Sequence, residues 1–281
     1  MKTANAMQLK ARIKNSAKDA GIPPQAIMQC YLLERLLERI SKSEWHNNVV
    51  IKGGMLISSL VGVATRTTMD LDTTISGFDL THESAEAVFK QIVSVDADAD
   101  WDFEFDRTED IRETDDYPGI RVHLKASYAP MSVPLTVDVT TGVKITPGPI
   151  DYEYPLLFDK GSIHIMTYTL ETVLAEKLET LVSRGVTNTR PRDFYDVHVL
   201  WQLKKAECDL GTLSQAIKAT CEKRESTARM QQWGLVLEEI AADQAMLALW
   251  TKYARKNPYA TGIELPQCCE TAKAILGSID L

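Results

Sequence analysis

The sequence predicts an α/β (α+β) chain, with a mixed sheet and its helices over residues 1–165 and an α-helical part over 166–281. Three observations carry that expectation. A β-branched run ending in two glycines, Val49-Val50-Ile51-Lys52-Gly53-Gly54, is followed by an apolar helix-like segment and then by a second short strand, Asp70-Leu71-Asp72. Three segments between residues 101 and 139 alternate apolar and polar residues with period two, as half-solvated strands do. From residue 169 onward the apolar residues take up helical spacing.

Bulk properties narrow the class. The 281 residues, 44% hydrophobic and 25% charged, are enough for an enzyme with a proper core. No apolar run reaches the roughly 18 residues that a bilayer span needs, and the N-terminus lacks an apolar signal core. A cytoplasmic protein with no membrane partner is expected. Five cysteines without C-x-x-C spacing argue against a disulfide framework or a structural zinc site, and the adjacent Cys268 and Cys269 are expected to pack as small hydrophobes. A net charge of -8 disfavours non-specific coating of nucleic acid but leaves room for a local basic groove. Acid crowds between Asp96 and Asp116, including Asp98, Glu113, Asp115 and Asp116, whereas Arg184, Arg190, Arg192, Lys204 and Lys205 cluster later.

Taken in order, residues 25–40 form a packing helix, with Ile27, Tyr31, Leu32, Leu36, Leu37 and Ile40 at helical spacing and Glu34, Arg35, Glu38 and Arg39 on the opposite face. His46 falls in the loop before the 49–51 strand, and residues 55–63 form a short helix closed near Gly62. Thr81 opens a helix to about residue 95, with Glu83 and Glu86 near its positive end. The three alternating segments extend the sheet, with Asp102, Glu104 and Asp106 on the solvated face. Thr169 caps a helix ended by Gly185, and Pro191 suits the first turn of the next. Three or four further amphipathic helices follow, among them 244–255 and 267–279.

Several of these residues carry chemistry. Strand alternation puts Asp70 and Asp72 on one face, where their oxygens can share divalent cations, and the glycine pair lets backbone N–H groups approach a phosphate. The strand, glycine pair, helix and Asp-x-Asp in this order point to phosphoryl transfer. Asp138 shares its strand face with Thr136 and Thr140 while Leu135, Val137 and Val139 pack behind, which suits a third carboxylate for a second metal or for the nucleophile's proton. Lys177 lies on the apolar seam of Leu170, Val173, Leu174, Leu178, Leu181 and Val182. It must snorkel or meet a carboxylate or phosphate, and phosphate is the expected partner. Asp193 and Asp196 fall on one side of the following helix, in company with Arg190 and Arg192.

With these blocks placed, the chain resembles the AbiEii family of nucleotidyltransferase-like toxins, within the DNA polymerase β-type nucleotidyltransferase superfamily. The matching blocks are Lys52-Gly53-Gly54, Arg66-x-Thr68-x-Asp70-Leu71-Asp72, Ala175-Glu176-Lys177-Leu178 and Arg190-x-Arg192-Asp193-x-Tyr195-Asp196-Val197, and Tyr31-Leu32-Leu33-Glu34-Arg35 is similar to the family's opening helix. The resemblance implies a palm-like fold and transfer of NMP from an NTP, in some members onto the 3′ end of tRNA, by the toxin of a phage-defence system paired with a winged-helix antitoxin. It implies Mg²⁺, or Mn²⁺, on Asp70 and Asp72, with Asp138 as a further metal ligand from the strand pattern. Lys177 would contact nucleotide phosphates and Asp193 would be a further essential acid. Lys52, Gly53, Gly54, Arg66 and Thr68 complete the nucleotide-binding set, and Arg66 can instead brace the carboxylates. Met55 stands where many relatives carry Thr or Ser, and Arg192 replaces the commoner lysine, which bears on nucleotide choice. The alternatives are nucleotidylation of a protein or small molecule, or a catalytically inactive nucleotide- or partner-binding protein.

Overall fold

The computed structural model describes residues 5–97, 100–111 and 119–281. Within the acid-rich segment Asp98, Glu113, Asp115 and Asp116 lie outside the described residues, as do residues 1–4 of the N-terminus. The chain divides into two compact units: residues 1–143 with 149–168, and residues 144–148 with 169–281.

The first unit opens with two helices. α1 (Ala6–Ala20) starts on the Asn5 side chain, which accepts the Gln8 N–H, and stops at Gly21 in the left-handed region. α2 (Pro24–Lys42) packs its apolar stripe as expected, but its charged residues are not solvated: Glu34, Arg35 and Arg39 are 2%, 2% and 5% exposed. The reason is tertiary. Glu34 accepts from Arg35 at 2.5 Å and from the Leu157 N–H at 2.6 Å, while Arg39 donates to the Trp101 carbonyl at 2.7 Å and lies over the Phe103 ring at 4.4 Å. A helix enclosed on all sides needs such partners for its charges, and burial pushes the Glu34 carboxyl above its usual range.

The sheet follows: β1 (Val49–Lys52), α3 (Gly53–Val61), β2 (Leu71–Ile75), α4 (His82–Ser94), β3 (Asp102–Ile111), β4 (Gly119–Tyr128), β5 (Met131–Thr140), β6 (Ile150–Pro155) and β7 (Ser162–Thr167). Among the described residues these give a seven-stranded mixed sheet ordered β3-β4-β5-β2-β1-β7-β6, with β1–β7 and β2–β5 parallel and the other pairs antiparallel. Val49, Val50, Ile51 and Leu71 are fully buried in its centre, as β-branched and leucine residues are where both faces are covered. β3 and β4 lie on α4, which Thr81 opens through a capping box with Ser84. Asp102, Glu104 and Asp106 are exposed. Sequence periodicity left β6 and β7 unassigned, although Ile163, Ile165 and Thr167 alternate inward on β7.

In the second unit α5 (Leu170–Arg184) is capped by Thr169, whose side chain accepts the Thr172 N–H. The 144–148 segment is tied to this turn, with the Thr146 N–H donating to Thr172 Oγ1 and the Thr146 carbonyl accepting from Thr169. α5 packs on α6 (Pro191–Lys204) and α7 (Leu210–Lys223). α8 (Thr227–Met230), α9 (Trp233–Ala242), α10 (Gln244–Lys256) and α11 (Leu265–Leu276) complete the unit, one helix more than the longest sequence expectation. Cys268 and Cys269 are fully buried in α11, where burial lifts both thiols, that of Cys269 to about 12. No helix is long and apolar enough to cross a membrane among the described residues.

Candidate active site

In the first unit the site begins where β1 runs into α3. Gly53 sits at φ +60°, and a Cβ there would lie 2.0 Å from Asp72 Oδ2. At Gly54 a Cβ would lie 2.5 Å from Thr68 Oγ1 and 3.2 Å from Arg66 Nη2. The room that the glycines leave on the Cβ side is taken by the chain's own side chains. Asp72 rests against the first turn of α3 and accepts the Gly54 N–H at 3.3 Å, in the positive end of the helix dipole.

Thr68 and Arg66 serve the same loop. Thr68 is 2% exposed and donates to Asp70 Oδ1 at 2.9 Å, which orients that carboxylate just before β2. Arg66, also 2% exposed, donates to the Thr67 carbonyl and lies beside Gly54. Of the two roles the sequence left to Arg66, bracing the carboxylate loop is the one that its burial fits. Met55 is buried in the core at 1% exposure, so a hydroxyl at this position would not face solvent.

The sheet register lines up a row of charges. Lys52 on β1 is opposite Asp72 on β2, Asp72 is opposite Asp138 on β5, and Asp138 is opposite Arg121 on β4, all on one face. Lys52 Nζ stands 5.7 Å from the Tyr168 ring centroid. Arg121 grips Asp138 with both prongs of its fork, Nε to Oδ1 at 2.7 Å and Nη2 to Oδ2 at 2.8 Å. The two-residue turn at Ala129-Pro130 sets the register that gives Asp138 this partner. Burial pushes the Asp72 carboxyl above its usual range, Asp70 and Asp138 push it further, and Lys52 and the Gly54 N–H pull it back. Like charges held together in this way are the electrostatic condition that a cation relieves.

In the second unit Lys177 meets carboxylates. Its Nζ lies 2.7 Å from Asp193 Oδ1 and 2.9 Å from Asp196 Oδ2, whose side chains are 7% and 0% exposed. Burial alone would lower the lysine's pKa, but Asp193 and then Asp196 outweigh it, and the net direction is upward. Arg190 Nε also lies 3.4 Å from Asp193 Oδ2. Of the expected basic groove, Arg190 and Lys204 are therefore engaged with Asp193 and Glu207, while Arg192 and Lys205 are exposed.

The sequence of residues 35–270 matches the family described as nucleotidyl transferase AbiEii toxin, type IV toxin–antitoxin system. The chain belongs to this family. It is accordingly a nucleotidyltransferase, and membership brings with it a nucleotide substrate and an antitoxin partner. A comparison with curated proteins gives no match. Two solved structures are similar to this chain in fold. One is a candidate nucleotidyltransferase from H. pylori, with a TM-score of 0.50 and 14% identity, covering 92% of this chain and 97% of that one. The other is JHP933 from Helicobacter pylori, with a TM-score of 0.51 and 14% identity, covering 91% and 93%.

Proposed function

We propose that this AbiEii-family chain transfers NMP from an NTP to the 3′ end of a tRNA, with a divalent cation, Mg²⁺ or in its place Mn²⁺, held by Asp70 and Asp72. The observation that carries the reading is the pair of carboxylates fixed at the glycine turn, Asp70 by the Thr68 hydroxyl and Asp72 by the Gly54 N–H. They fit the ion: Mg²⁺ is usually bound by one or two carboxylates plus substrate phosphates. Among the described residues no three His, Cys, Asp or Glu side chains form a ready-made cage. When bound, the ion supplies Lewis-acid polarisation of the phosphate oxygens.

The chain's own residues do the rest. The acceptor 3′-hydroxyl oxygen forms a bond to the α-phosphorus as the bond to the β-phosphate oxygen breaks, so that pyrophosphate leaves and the hydroxyl proton passes to water. Lys52 offsets part of the negative charge beside Asp72. Lys177, bound to Asp193 and Asp196, is proposed to reach a nucleotide phosphate with its remaining N–H, and Asp193 holds it in place. A protein or small-molecule acceptor is the second reading, favoured by the engagement of Arg190 and Lys204 with acids of the same unit. The partner is proposed to be a winged-helix antitoxin and the location the cytoplasm. Incubation with each α-labelled NTP, total RNA and protein extract tests the assignment. Label in tRNA supports it, and label confined to protein or small molecules overturns the tRNA reading.

A further inference from the structure

Asp138 stands next to Asp72 in the parallel β2–β5 register, yet both of its oxygens are taken by Arg121. The pair has two properties that a purely structural bridge lacks. The Arg121 side chain is 37% exposed and that of Asp138 17%, so their separation strands neither group in an apolar interior. Arg121 also has a second acid in reach, Glu109 Oε1 at 4.0 Å from Nη1, on the strand opposite Asp138. The guanidinium therefore has somewhere to go.

Asp70 and Asp72 alone give a cation a sparse ligand set, whereas a fork-bound carboxylate one strand away is a third donor held in reserve. Triphosphate oxygens are strong bidentate partners for arginine and would compete with Asp138 for the fork. We infer that Arg121 is a positioning residue that withholds Asp138 from the divalent cation in the nucleotide-free enzyme, and that nucleotide binding draws Arg121 away so that Asp138 joins Asp70 and Asp72. Metal and nucleotide then tighten each other's binding by one shared factor, as linkage requires. The inference rests on the reading of Asp70 and Asp72 as metal ligands.

The test is direct titration of Mn²⁺, followed by the electron paramagnetic resonance of the free ion, with and without the four α,β-methylene NTP analogues. Arg121→Gln should bind Mn²⁺ about tenfold more tightly than wild type in the absence of nucleotide, within the usual range of such couplings. Asp138→Asn in the same chain should abolish that gain, and the enhancement by nucleotide should shrink in Arg121→Gln by the same factor. Arg121→Lys keeps the charge without the fork, should fall between the two, and decides the matter if Arg121→Gln melts as an unfolded chain. Mn²⁺ affinity that is unchanged or weaker in the Arg121 variants, while Asp72→Asn still loses it, overturns the latch and leaves the site reading standing. No Mn²⁺ binding by wild type with any analogue overturns both.

Discussion

Replacing Lys177 by methionine removes the cation that two buried carboxylates share. Asp193 and Asp196 lie 2.7 and 2.9 Å from Nζ, and neither can turn to solvent at 7% and 0% exposure. Removing one partner of a buried ion pair costs about 3–5 kcal/mol. Arg190, 3.4 Å from Asp193, offsets some of this, so we expect a loss of about 3 kcal/mol, which for a unit of this size is about 12 °C in Tm. Phosphate, the partner expected from sequence, predicts the opposite sign, because methionine suits the apolar seam. Calorimetry across pH separates the two. Folding raises the Lys177 pKa, so its contribution is complete below its unfolded value of about 10.4 and is lost as pH climbs through the folded one. The gap between wild type and mutant should then be flat near neutrality and close at alkaline pH. Asp196→Asn added to Lys177→Met should recover part of the loss. A Lys177→Met protein that melts with wild type, or above it, refutes the reasoning.

Gly53→Ala should destabilise by about 3 kcal/mol and abolish transfer, since a β-carbon at φ +60° would lie 2.0 Å from Asp72 Oδ2; chemical denaturation and the labelling assay check both halves. Asp72→Asn should melt at or above wild type at neutral pH. The raised folded pKa means that the ionised carboxylate costs stability above that pKa, a cost relieved as pH falls through it, so the advantage should vanish in acid thermal melts. If tRNA is held by about four phosphate contacts that include Arg192 and Lys205, log affinity should fall with log salt at a slope of roughly 3 to 4. A slope near zero in a filter-binding titration would favour the non-RNA acceptor.

The elements with strong local signals were legible. The glycine pair, the Thr169 and Thr81 caps, Pro191 in a first turn and the alternation of 135–139 each follow from local chemistry, and each stands in the structure where it was expected. Partners across the chain were not. Glu34, Arg35 and Arg39 occupy the polar face of α2 by periodicity, and only Leu157, Trp101 and Phe103 explain their burial. Asp193 and Asp196 could be put on one helix face, but not onto Lys177 of another helix. The Arg121–Asp138 bridge is an intermediate case: recognising a two-residue turn at Ala129-Pro130 would have fixed the β4–β5 register and paired them. The parallel neighbours Asp72 and Asp138 had no local signal, because strand order is set by the whole sheet.

Asp70 and Asp72, held at the glycine turn, are proposed to carry nucleotidyl transfer. The most direct measurement is incorporation of label from α-labelled NTPs into total RNA by wild type, Asp70→Asn and Asp72→Asn, each first shown by thermal melting to be folded. The account predicts labelling of tRNA 3′ ends by wild type and none above background by either variant. Wild-type levels of labelling by a folded Asp70→Asn or Asp72→Asn protein would contradict it.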